Sequence, residues 1–164
     1  MAKSDMFLRV ESARAGRVSG ESRDPAHTDE IDLESWSWGM STPTGVGGAS
    51  TGRATIETLN VVKRADKAST ALMSMMRTND IVKKAVLSVR KVSGGTPIDY
   101  FIVTIERGRV SAYHVESGVS AEGTPVLFET VQFSFQAITV DYHAQTAKGL
   151  KAGGSSFSAD LTPT

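Results

Sequence analysis

His27 stands within six residues of five carboxylates, Glu21, Asp24, Asp29, Glu30 and Asp32. An imidazole among carboxylates has the donors of a metal site and the groups of an acid–base pair. The spacing matches neither a calcium-binding EF-hand loop nor the two histidines one helical turn apart of a zinc protease. A ring on a turn has simpler uses. The reading for His27 is a hydrogen-bonded side chain that locks its turn, with the carboxylates solvated or paired to arginine, and neither a metal nor a cofactor is expected.

Other chemistry has less to stand on. His114 and His143 complete the set of histidines, and serines are plentiful, but no GxSxG elbow presents a nucleophile. A small β-barrel hydrolase using His27 or His143 stays an alternative on composition alone. The stretch GVGGASTGR at 45–53 looks like a phosphate cradle but lacks the GK[ST] ending. A flexible loop fits it better, and the chain is not expected to be an enzyme.

The 164 residues are long enough for one core, and 40% apolar with 22% charged residues is ordinary for a globular chain. Lysine plus arginine equals aspartate plus glutamate at 18 each, so no nucleic-acid or anionic-membrane partner is expected. The same balance removes long-range repulsion between copies. Cysteine is absent, which excludes disulfides and thiolate metal sites. The opening MAKSDMFLRVES has no apolar signal-peptide core, and no apolar run nears the ~20 residues of a membrane helix. Synthesis and folding in the cytoplasm are expected, with any export through a machine that takes folded protein.

The elements that would position these groups are strands. Apolar residues recur with a period near two over 6–10, 30–39, 54–62, 82–92, 98–107, 110–116 and 129–142. Turn signals separate them at Arg23-Asp24-Pro25, Ser93-Gly94-Gly95, Arg107-Gly108 and Glu122-Gly123-Thr124-Pro125. Antiparallel meanders closing into a barrel or sandwich follow. The exception is 69–78, STALMSMMRT, a short helix with Ser69 as N-cap and Leu72, Met75 and Met76 on one face. Its methionines read as core filler. The stretch 40–53 reads as a long loop, and 148–164 as a flexible tail in which Phe157 and Leu161 could dock. No repeat or linker divides the chain, so one domain over 1–164 is expected.

Two strands change phase midway. Ile31 and Leu33 share a face, while Trp36 and Trp38 take the other. Val131, Phe133, Phe135 and Ala137 share a face before Ile138, Val140 and Tyr142 take the opposite one. A β-bulge would explain each switch inside one domain. Burial of the second face against another subunit would explain it equally. On the Trp-Ser-Trp strand, Trp36 and Trp38 are core anchors, while Ser35 and Ser37 point to water, in bulk or in a channel.

The order GES, RD, H, EIDLESWSWG at 20–39 resembles the N-terminal blocks of Hcp, the haemolysin co-regulated protein family of bacterial type VI secretion. DMFLRV precedes it, and KASTALMSM, AVLSVRKVSG and FSFQAITVDY follow in the family's order. The chain departs at Ala71, where a proline commonly follows the Lys-x-Ser-Thr start, and in its glycine loop and tail. The resemblance implies a mainly β fold, an antiparallel β-barrel of two packed sheets with one short flanking α-helix. It implies a hexameric ring, stacked into a tube that sheath contraction expels behind a VgrG-type spike, with effector cargo inside. It places Ser35 and Ser37 toward the lumen and makes 41–53 an extended loop reaching an adjacent subunit or ring. The protein would leave the cell without a cleaved signal peptide. A phage tail-tube protein is the other reading of the same architecture.

Overall fold

Apolar side chains at every second position turn inward onto one core. The computed structural model describes residues 5–48, 52–91, 97–145 and 151–161. The chain begins with β1 (Met6–Ser12), β2 (Gly16–Val18) and β3 (Ile31–Ser37). A short arm follows, made of β4 (Met40–Ser41), a single turn of tight helix (Val46–Gly48) and β5 (Thr55–Ile56). Then come β6 (Leu59–Arg64), the helix α1 (Ser69–Arg77), β7 (Val82–Lys91) and β8 (Ile98–Val119). The chain ends in β9 (Pro125–Ser134), β10 (Ala137–Gln145) and β11 (Lys151–Asp160).

The order β8-β7-β1-β3-β6-β9, with β9 also bonded to β8, closes an antiparallel barrel of six strands. β10 and β11 continue the sheet outward from the first half of β8, and β4–β5 form a small separate sheet. This is the expected fold class, barrel and single helix included. Leu8, Ile31, Leu59, Leu87, Ile105 and Phe133 are fully buried. Each contributes roughly 1.5–3 kcal/mol by leaving water.

Both phase changes have their cause inside the chain. In β3 the register against β6 shifts between Leu33 and Ser35, so Trp36 follows Leu33 onto the core side. The expected strand over 129–142 is two strands. The chain breaks at Phe135-Gln136, leaving β9, which pairs with β6, for β10, which pairs with β8 and β11.

Conversely, the turn expected at Arg107-Gly108 is a bend within the continuous β8. Arg107 adopts φ 51°, and a Cβ on Gly108 would lie 2.5 Å from the Ser134 carbonyl oxygen. That close approach lets the first half of β8 pair with β7 and β10 and the second half with β9. The tail differs too. Residues 151–160 form β11, because the edge of β10 supplies hydrogen-bond partners that the sequence of the tail does not advertise. The turn at Ser93-Gly94-Gly95, residues 49–51 of the loop, and 148–150 and 162–164 lie outside the described residues.

α1 buries Leu72 and Met75, whereas Met76, expected beside them, is 41% exposed. Ser69 is the first helical residue rather than the cap, which is Ala68. The helix stops at Asn79, in the left-handed region at φ 55°, where Asp80 N–H bonds the Met75 carbonyl and Asn79 N–H that of Met76.

Candidate functional site

The turn around His27 is tied down from several elements. Gly20 N–H donates to the Asp29 carbonyl at 2.7 Å and Ser22 N–H to that of Glu30 at 2.9 Å. Any side chain at Gly20 would collide with this backbone, since a Cβ would sit 2.4 Å from the Glu30 carbonyl oxygen. His27 is 4% exposed and stacks on Phe7 with ring centroids 4.2 Å apart. Its Nδ1 lies 3.0 Å from Glu30 Oε1 and its Nε2 3.0 Å from Asp99 Oδ1, on β8. Arg90, from β7, reaches Asp24 Oδ2 at 2.5 Å and lies over the Phe7 ring.

The ring thus joins the turn to β1 and β8, and the Asp24–Arg90 pair adds β7. Both nitrogens are occupied and the ring is enclosed, so His27 has no lone pair free for a substrate. Burial pushes the Asp24 carboxyl up, but the Arg90 hydrogen bond, the Ala26 N–H and the charges of Arg90 and His27 outweigh it and hold it below its ordinary value. Asp32 goes the other way, raised by desolvation and then by the repulsion of Asp66, Asp24, Glu21 and Glu34.

Ser35 and Ser37 are exposed, while Trp36 and Trp38 are half-buried and pack on the edge of the core. Trp36 stacks on Phe101 at 5.7 Å, and Trp38 Nε1–H donates to the Glu57 carbonyl at 2.9 Å. The serines belong to a wider face. Ser37 stands opposite Asn60, which stands opposite Gln132, which stands opposite Ala112. The next row runs Ser35, Val62, Thr130, His114. Across β3, β6, β9 and β8 these two rows carry small or uncharged polar groups and a single histidine.

His114 is exposed and pairs with Glu116 at 3.6 Å, and His143 lies on β10 opposite Gly154. The histidines therefore sit on separate elements. Among the described residues no group of three or more His, Cys, Asp or Glu side chains is placed to hold a metal ion, and no helix is long and apolar enough to cross a membrane.

One cluster escaped the sequence reading. Lys63 and Glu129, register partners on β6 and β9, are both fully buried and bond each other. Asp66 lies 2.9 Å from Lys63 Nζ, Ser69 Oγ donates to Glu129 Oε1 at 2.7 Å, and the Tyr113 hydroxyl donates to Glu129 Oε2. The signal was present. Lys63 follows Leu59 and Val61 on the inward face, and Glu129 precedes Val131 and Phe133.

The family profile described as "Type VI secretion system effector, Hcp" matches residues 7–142. The chain belongs to the Hcp family. It is 36% identical over 153 residues to the protein hcp1 of Pseudomonas aeruginosa, covering 92% of this chain and 90% of that one. Among solved structures, "Structure of a type six secretion system protein" superposes with TM-score 0.79 at 23% identity, covering 95% and 96% of the two chains. The Hcp1 protein of E. coli EAEC 042 gives TM-score 0.76 at 17% identity over 97% and 99%. Hcp is a secreted, structural protein of the type VI tube, and the residues described above belong to that class of protein. The matched span takes in both the His27 turn and β3.

Proposed function

We propose that this chain is the repeating subunit of a type VI inner tube, folding as one domain over 1–164 and assembling into hexameric rings that stack. Contraction of an external sheath drives the tube and its VgrG-type spike out of the cell, with effectors carried in the lumen. Ser35 and Ser37 face that lumen, Trp36 and Trp38 anchor their strand, His27 locks its turn, and the arm at 41–53 reaches an adjacent subunit or ring. No catalysis, metal or cofactor takes part.

The observation that carries this reading is the four-strand face bearing Ser35 and Ser37, in a chain of the Hcp family. Its two central rows, uncharged apart from His114, give a passing protein little fixed charge to bind, as a conduit needs. Light scattering after size exclusion, with electron microscopy of the same fraction, tests it. A mass near six chains and annular particles are expected, whereas a monodisperse monomer at micromolar concentration overturns the reading.

A further inference from the structure

Two hairpins carry an apolar face past the end of the core, and they do so at opposite ends of β8. On β10, Ile138 is 1% exposed, Val140 is half-buried and Tyr142 is 45% exposed, all on one face by strand alternation. On β11 the register partner of Val140 is Phe157, 41% exposed. This overhang lies beside the start of β8, where Tyr142 pairs with Phe101. The second lies at its far end. There Glu129 is fully buried, but the same face of β9 and β8 runs on to Leu127, 51% exposed, and Val119, 66% exposed. Beside Leu127 lies a shallow, open depression that Arg64 and Ala65 also line.

We infer that the Tyr142–Phe157 overhang of one copy seats on the Leu127–Val119 overhang of the next. This deepens the tube reading and rests on it. Exposed apolar faces of this kind are normally covered by a partner, and each copy carries one of each. Two different surfaces on one molecule make a head-to-tail contact, the kind that closes a ring. The rims agree in charge. At the first overhang the Tyr142 ring meets Tyr100 edge-on at 6.5 Å, and the Lys91 ammonium lies 5.7 Å over that same Tyr100 ring, bringing a positive charge to the rim. At the second, Glu34 and Glu122 share the single Arg64 guanidinium, at 2.6 and 3.3 Å, leaving negative charge in excess. The depression beside Leu127 is open to an approaching side chain, and the neutral chain puts no long-range repulsion in the way.

Because the chain has no cysteine, engineered thiols report contacts cleanly. A Phe157→Cys, Leu127→Cys double variant, oxidised with copper phenanthroline and run without reductant, should give a ladder from dimer to closed ring. A mixture of the two single variants should give dimers only, and either alone none. Leu127→Asp and Phe157→Asp, both at exposed positions, should fold and shift rings toward monomers at least tenfold in concentration. Met73→Asp, exposed on α1, should not. Intact wild-type rings with no ladder, together with unaltered assembly of both Asp variants, overturn this contact and leave the tube reading standing. Self-linking of either single variant overturns the head-to-tail geometry. A wild-type monomer overturns the tube reading itself.

Discussion

At the scale of single residues, the largest energies sit where charge is enclosed. Lys63 and Glu129 are fully buried, so each depends on the other for the solvation that water no longer gives. Lys63→Met or Glu129→Leu alone should cost about 3–5 kcal/mol, because the remaining charge is stranded in the barrel. The double variant should recover most of that loss in urea melts. A double variant as weak as either single one would mean that Asp66, Ser69 and Tyr113 need the pair for their own placement. Asp24 and Asp32 give opposite signs in one titration. The Asp24 carboxyl is held below 3.8, so its stabilisation is present above that pH and lost as pH falls through the folded value. The Asp32 carboxyl is raised above 3.8, so stability falls as pH rises from 3.8 through the folded value. Asp24→Asn should therefore weaken the protein at neutral pH and Asp32→Asn strengthen it, with both differences fading in acid. Urea midpoints at pH 7 and pH 3 check this, and equal signs at pH 7 would refute the assignment.

At the scale of elements, β8 is the strand on which the architecture turns. Gly108 has no room for a methyl group against the Ser134 carbonyl. Gly108→Ala should pry β8 from β9 and cost about 1–3 kcal/mol, as overpacking does elsewhere. Faster amide exchange confined to the second half of β8 and to β9 would identify the cause. The sequence could not announce this bend. Arg107-Gly108 has the composition of a turn, and only the close approach of a distant carbonyl makes the chain continue. Elements built on alternation were legible: β1, β3 and β7 lie where their apolar period puts them, whereas the single strand expected over 54–62 is two, β5 in the small sheet and β6, which runs on to Arg64. β11 was not, because glycine and serine carry no strand pattern and the strand exists only against β10. The site was legible to a similar depth. His27 on its turn and the serines opposite the tryptophans follow from local order. Asp99 beside His27 lies 72 residues away, beyond any local pattern.

At the scale of the whole molecule, the open question is which surface meets which neighbour, and the two faces of β3 answer different parts of it. Trp36 and Trp38 are half-buried, so Trp36→Ala should destabilise by less than the ~3–5 kcal/mol of a fully enclosed aromatic ring. The loss should appear in thermal melting of the subunit before it appears in assembly. Ser37 is exposed among Asn60, Gln132 and Ala112 and supports no part of the core. Ser37→Arg should keep the fold, the melting temperature and the ring. In a hexamer it sets six positive charges around one circumference, and that field should change which effectors co-purify, acidic ones gaining and basic ones losing. Melting, ring mass and bound cargo measured on both variants separate three possibilities. Unfolding of Ser37→Arg with a silent Trp36→Ala would mean that the faces are reversed. Folded Ser37→Arg that no longer forms rings would put Ser37 in a subunit contact. An intact ring with unchanged cargo would remove the lumen from this face and leave the barrel and its family as they stand.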